Sequence, residues 1–162
     1  MASGNQSHAE GTQSTASGTS AHAEGEVTIA SAAATHAEGY KTTAVTDHSH
    51  AEGNQTIAGE IKEDATVVGI SAHAEGYKTK ATGNYSHAEG SNTTASGHYS
   101  HSSGASTTAS GTASFAAGNG TIASASHTAT FGNQTRAGQG NQFVVGRYND
   151  NKTATLFEVG NG

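Results

Sequence analysis

The sequence predicts an all-β solenoid, a chain wound into short strands whose successive turns pair in parallel. Three observations carry this reading: a glycine every 14 residues, small side chains alternating along each unit, and a composition too poor in large apolar residues for an ordinary core. The glycine series runs Gly11, Gly25, Gly39, Gly53, Gly76, Gly90, Gly104, Gly118, Gly132, Gly146 and Gly160, with one 23-residue step between Gly53 and Gly76. That gives eleven registers and one nine-residue insertion. Six registers read His-Ala-Glu-Gly in full (8–11, 22–25, 36–39, 50–53, 73–76 and 87–90), and a seventh reads His101-Ser102-Ser103-Gly104. In nine units Ser or Thr follows the glycine by three positions, from Ser14 to Thr135, and Ala follows by five, from Ala16 to Ala137. Each unit is thus two half-repeats of seven, a short strand and a tight turn in each. A helix is excluded, because Gly, Ser and Thr at this density have poor propensity and no 3.6-residue apolar stripe exists.

Composition sets the energetic frame. Apolar residues are 32% of the 162, much of that Ala, beside 22 Gly. At roughly 25 cal/mol per Å² of apolar area, such a chain cannot easily offset about 1–2 kcal/mol of backbone ordering per residue. Disorder or a self-packing lattice remain, and strict periodicity selects the lattice. The formal charge of −6, with only seven Lys and Arg, argues against a nucleic-acid partner. No Cys means no disulfide, thiolate zinc site or thiol nucleophile, and the absence of Pro suits a ladder that uses nearly every N–H. No apolar run approaches the 18–20 residues of a membrane span, so no membrane insertion is expected of this stretch.

The two-residue period of a strand assigns the faces. In Ser7-His8-Ala9-Glu10, Ser and Ala share one side, His and Glu the other. Ser14 and Ala16 likewise oppose Thr15 and Ser17. A seven-residue half-turn has room only for small side chains, so the Ser/Ala and Ser/Thr-Ala pairs are expected inside. About eleven turns at roughly 4.8 Å make a rod on the order of 50 Å long. The variable strand, with pairs such as Ile29/Ser31 and Lys80/Thr82, is expected to face solvent. The repeated strand is expected to face partner chains, with His8, Glu10, His22, Glu24, His36, Glu38, His50, Glu52, His73, Glu75, His87, Glu89 and His101 lining a shared axis.

The C-terminal registers point the same way. Phe115, Ala129, Phe143 and Phe157 stand where His stood, and Ala117, Phe131, Val145 and Val159 where Glu stood. Large apolar groups on a thin coil need burial, and a threefold axis supplies it. The expected assembly is a parallel homotrimer, polar along most of its axis and apolar at one end. The units divide the chain into repeats over 1–53, a repeat with the insertion over 54–75, repeats over 76–126, and C-terminal repeats over 127–162 with the apolar axis.

Ser-His-Ala-Glu-Gly followed by x-x-Thr-x-Ala-Ser-Gly resembles the 14-residue head repeats of trimeric autotransporter adhesins, the YadA-like or Hep/Hag repeats, over about residues 2–140. The usual strand of that family is Ser-Val-Ala-Ile-Gly, so His and Glu here replace two apolar residues. The resemblance implies a left-handed parallel β-roll trimer with this strand on the axis. The tail, with Thr130-Phe131-Gly132-Asn133-Gln134-Thr135, Asn141-Gln142-Phe143-Val144-Val145-Gly146-Arg147-Tyr148-Asn149 and Leu156-Phe157-Glu158-Val159-Gly160, is similar to segments of phage tail or neck-appendage fibres. It commonly precedes a self-cleaving chaperone domain there, and the chain is expected to be a piece of something longer. The implied function is a fibre shaft or head that attaches to a cell surface, extracellular, on a virion tail fibre or a bacterial surface. Its partners would be two further copies of itself and a surface receptor, a glycan or a matrix protein. A bacterial adhesin head is the alternative, and an ice-binding solenoid, from the Thr-bearing outer strand, is a minor one.

Enzymatic readings fare poorly. His-Ala-Glu matches half of a zinc-deaminase motif, but the Cys pair is missing and six identical copies suit a lattice better than one active site. Asp47-His48-Ser49-His50 holds the residue types of a triad along one stretch rather than converging. No catalytic residue and no cofactor are expected. Axial His and Glu are expected to hydrogen-bond between subunits, since carboxylates near an axis need donors. The alternative is a metal held by rings of axial His, and His48 with His50 offer a His-x-His chelate. The trimer is expected to weaken below about pH 4, as carboxylates lose charge. Asn-x-Ser/Thr occurs at Asn5, Asn54, Asn92, Asn119, Asn133 and Asn151, where Asn suits tight turns. The insertion, Glu60 to Val68, is expected to be a surface loop, with receptor contact as its functional alternative.

Overall fold

A computed structural model describes residues 1–149 and 156–161 of the chain; the Asn151 sequon lies outside them. The described residues contain strands and turns but no helix. Five-residue strands, from His8–Thr12 to Phe157–Asn161, form one eleven-stranded sheet, and two-residue strands, from Thr15–Ala16 to Arg136–Ala137, form a nine-stranded one. Every neighbouring pair within these sheets is parallel and in register across one unit, His22 on His36, Glu24 on Glu38, Gly25 on Gly39. The molecule is a parallel β-solenoid, as the glycine period requires.

The inward assignment holds. Ala23, Ala37, Ala51, Ala74 and Ala88 from the long strands and Ala16 through Ala137 from the short ones have no exposed surface, and the Ser14/Thr28/Thr42 column is equally enclosed. Ala9, in the edge strand of the eleven-stranded sheet, is only half-buried. The alanine core splits where Ser102 replaces Ala, and there the Ser102 and Thr107 hydroxyls pair at 2.7 Å. Most other core threonines have no such partner: Oγ1 of Thr28, Thr42, Thr56, Thr79, Thr93 and Thr121 is buried without a hydrogen bond. Their methyl groups fill the interior at the expense of the hydroxyl.

Two devices turn the corners. Gly39, the last residue but one of its strand, takes φ +108°, and a Cβ there would overlap the carbonyl oxygen of Gly53 in the next coil. This explains the strict glycine column. Two residues later the backbone is left-handed again without glycine, at Gln13, Val27, Lys41 and Gln55, with φ of 53–59°. Such a conformation costs about 1–2 kcal/mol in a non-glycine residue. It is held by a backbone hydrogen bond from each of these N–H groups to a neighbouring coil where the stack provides one, as Gln55 N to Tyr40 O at 2.8 Å. A β-branched Val27 in this place is an outlier that no propensity rule anticipates.

The insertion is a hairpin rather than an irregular loop. Glu60–Ile61 pairs antiparallel with Val67–Val68. Its tip is closed by Ala65 N donating to Lys62 O and Thr66 N to the Asp64 carboxylate, both at 2.9 Å. At its neck Gly59 and Gly69 take φ of +86° and +93° and approach so closely that a Cβ on Gly69 would strike Gly59. The coil then resumes with no loss of register: the Thr46 hydroxyl donates to Gly69 O at 2.6 Å, and His73 pairs with His50.

Candidate functional site

The outward side of the long-strand sheet is where the chemistry gathers. Histidine opens the first seven long strands, and in the six from His8 to His87 glutamate stands two residues on, so both point away from the alanine between them. Parallel registration then stacks like on like. From His22 to His87 the imidazole rings lie 4.7–4.8 Å apart and within 7° of parallel. His8 and His101 cap this run, and the stack passes without a gap into Phe115, 4.7 Å from His101.

The aromatic column then crosses over. Ala129 occupies the histidine register, but Phe131, in the glutamate register, places its ring 5.1 Å from Phe115 and 5.6 Å from Phe143. Phe157 extends the stack at 5.8 Å. One ladder of rings thus runs the whole described solenoid, imidazole for most of its length and phenyl at the end. The final members are open: Phe143 is 41% exposed, Phe157 60% and Val159 61%.

Histidine and glutamate pair in two ways. Before the insertion they pair along one strand, His8 with Glu10 and His36 with Glu38 at 3.4 Å, His22 with Glu24 and His50 with Glu52 at 3.7 Å. After it, His87 reaches back to Glu75 at 3.2 Å and His101 to Glu89 at 3.3 Å. His73 stands where the pattern changes. Nε2 of His22, His36, His50 and His73 is shut off from solvent with no hydrogen-bond partner among the described residues.

This crowding displaces the ionisations. Burial, then the imidazoles of His73 and His36, hold His50 below its ordinary value, and burial and His87 do the same to His73. Glu52 shares a proton with Glu75 in the next coil; that hydrogen bond, with burial and Glu38, pushes Glu52 up to about 7. The same contact holds Glu75 low. A row of carboxylates one strand spacing apart cannot ionise fully, and neighbours divide the charge.

Other singled-out residues sit elsewhere. Asp47 accepts from Ala33 N at 3.1 Å, and the Ser49 hydroxyl points inward to Thr46 O at 2.6 Å, so neither turns toward His50. His48 occupies a left-handed corner at φ +60°, apart from the column. Three features were not gathered by reading the sequence. Tyr85 and Tyr99 stack at 5.2 Å on an exposed corner. Lys41, Lys78 and Lys80 line one shallow groove with Gln55 and Asn92. The Asn84 side-chain oxygen accepts from Gly69 N and Ile70 N, tying down the hairpin's return. The 14-residue separation of Tyr85 from Tyr99 was the available signal for the first. Among the described residues no helix is long and apolar enough to cross a membrane. Compared with known proteins, the chain matches no family model, and no curated protein sequence matches it.

Proposed function

We propose that the chain is a module of an attachment fibre, assembled as a left-handed parallel β-roll homotrimer with the ring ladder on the threefold axis. Its role in this reading is mechanical and adhesive rather than enzymatic: it projects or presents a surface, outside the cell, in the manner of a phage tail fibre. The observation that carries the reading is the exposed end of the ladder. Phe143, Phe157 and Val159 lie outside a coil whose interior is already filled by Ala, Ser and Thr, and they stay exposed among the described residues. Three phenyl columns meeting on an axis would remove that area from water at roughly 25 cal/mol per Å². Strict repetition of the same outward pair over many coils suits a self-complementary line of contact better than a single ligand pocket. The resemblance of the repeat to trimeric adhesin heads, and of the tail to phage appendages, supports the same arrangement.

Sedimentation equilibrium tests the assembly. The expected mass is three times the 16.1 kDa chain, and a stable 16.1 kDa species at micromolar concentration removes the proposal. The attachment role is tested by screening the assembled protein against glycan and matrix-protein arrays and whole bacterial cells. Saturable binding to a surface component is the expected result; no binding to any of them leaves a spacer, and the adhesive half of the reading fails.

A further inference from the structure

The geometry points to a second property of the ladder: we propose that it binds zinc-class divalent ions, two per chain, one on His36, Glu38 and His50 and one on His73, Glu75 and His87. The ligand atoms of each trio lie within 4.8 Å of one another. A tetrahedral ion with bonds of about 2.0–2.2 Å holds its ligands roughly 3.3–3.5 Å apart. His36 Nε2 is 3.4 Å from the Glu38 carboxylate and His87 Nε2 is 3.2 Å from that of Glu75, so one edge of each tetrahedron is nearly formed. The third ligand atom, within 4.8 Å of the others, has to close the remaining distance by rotation of its side chain.

The unpaired nitrogens are the independent observation. Nε2 of His36, His50 and His73 is enclosed and makes no hydrogen bond, although a carboxylate stands beside each. A neutral imidazole whose Nε2 lone pair faces a carboxylate sets two acceptors against each other. A buried acceptor left so is destabilising. A cation between them satisfies both at once. The middle trio, His50, Glu52 and His73, shares a histidine with each of the others, so two ions and not three can bind together. The remaining coordination position is open to water or to a neighbouring copy.

The experiment titrates the full chain with Co²⁺ after treatment with a chelator, reading visible ligand-field absorption. Tetrahedral absorption saturating at two equivalents, and bleached by Zn²⁺, is expected. H50Q/H73Q, which leaves no trio intact, should abolish it, while H48Q/H98Q/H127Q, which changes the three histidines off the ladder, should leave it unchanged. Should H50Q/H73Q lose its circular-dichroism signature, E38Q/E52Q/E75Q, isosteric at all three trios, takes its place with the same expectation. No tetrahedral absorption, one equivalent, survival in these variants, or loss in the off-ladder control each overturns the proposal. Sedimentation of the same samples reads assembly separately, so a cobalt-binding monomer would refute the trimer and leave the ion sites standing.

Discussion

Glu52 is the residue at which the ladder's electrostatics come to a point. Its ionisation is raised from 4.5 to about 7 by the proton it shares with Glu75, by burial and by Glu38. Between those values the folded chain holds a proton that the unfolded chain has released, so the stability Glu52 contributes falls as pH rises from 4.5 to 7. His50 and His73 act in the opposite sense. Held below 6.5, they make folding less favourable as pH drops beneath that value, because the unfolded chain then binds more protons. Glu75, held below 4.5, adds a loss under still more acidic conditions. Glu52→Gln replaces the shared proton with a permanent neutral amide. Its melting temperature should exceed that of the parent at pH 8 and match it near pH 4.5; an equal offset at both pH values, read by circular dichroism, would exclude the shared proton. Inside the coil, Thr79 buries a hydroxyl that no group satisfies. Thr79→Val keeps the shape and removes that group, and should stabilise the fold by about 1 kcal/mol in denaturant unfolding. A destabilised variant would mean the hydroxyl is hydrogen-bonded after all.

At the level of elements, the coil and the hairpin behave as separate units. The hairpin rises between two glycines that nearly touch, and the strands on either side register as though it were missing, His50 against His73 and Ala58 against Ala81. Removing residues 60–68 restores the 14-residue step. The shortened chain should therefore melt within a few degrees of the parent, and a collapse of its far-ultraviolet signal would show that the hairpin props the solenoid. This much of the architecture was legible in the sequence, since the insertion's length is the difference between two glycine steps. That it would be a paired hairpin was not, because Ile61 and Val67 meet only once the Gly59–Gly69 neck is closed. The corners show the same limit. Gly39 announces its turn, but the left-handed backbone at Val27, whose N–H donates to Thr12 O of the previous coil, has no trace in residue type.

The whole molecule is a ruler with two kinds of edge, imidazole–carboxylate for most of its length and phenyl at one end. If the phenyl end clamps a trimer, charging it should release the chains. F143E/F157E is expected to sediment as a monomer with its β-sheet signal retained, and a variant that stays trimeric would show that the clamp lies elsewhere. Period and alternation were enough to specify a solenoid, its small-residue interior and the outward place of His and Glu, because a strand repeats every two residues and a coil every 14. They were silent on the crossing of the ring stack through Phe131, the switch of His–Glu pairing at the insertion, and the proton between Glu52 and Glu75. Those depend on which rotamers meet when coils are laid about one strand spacing apart, and such contacts exist only after the chain has closed its turns.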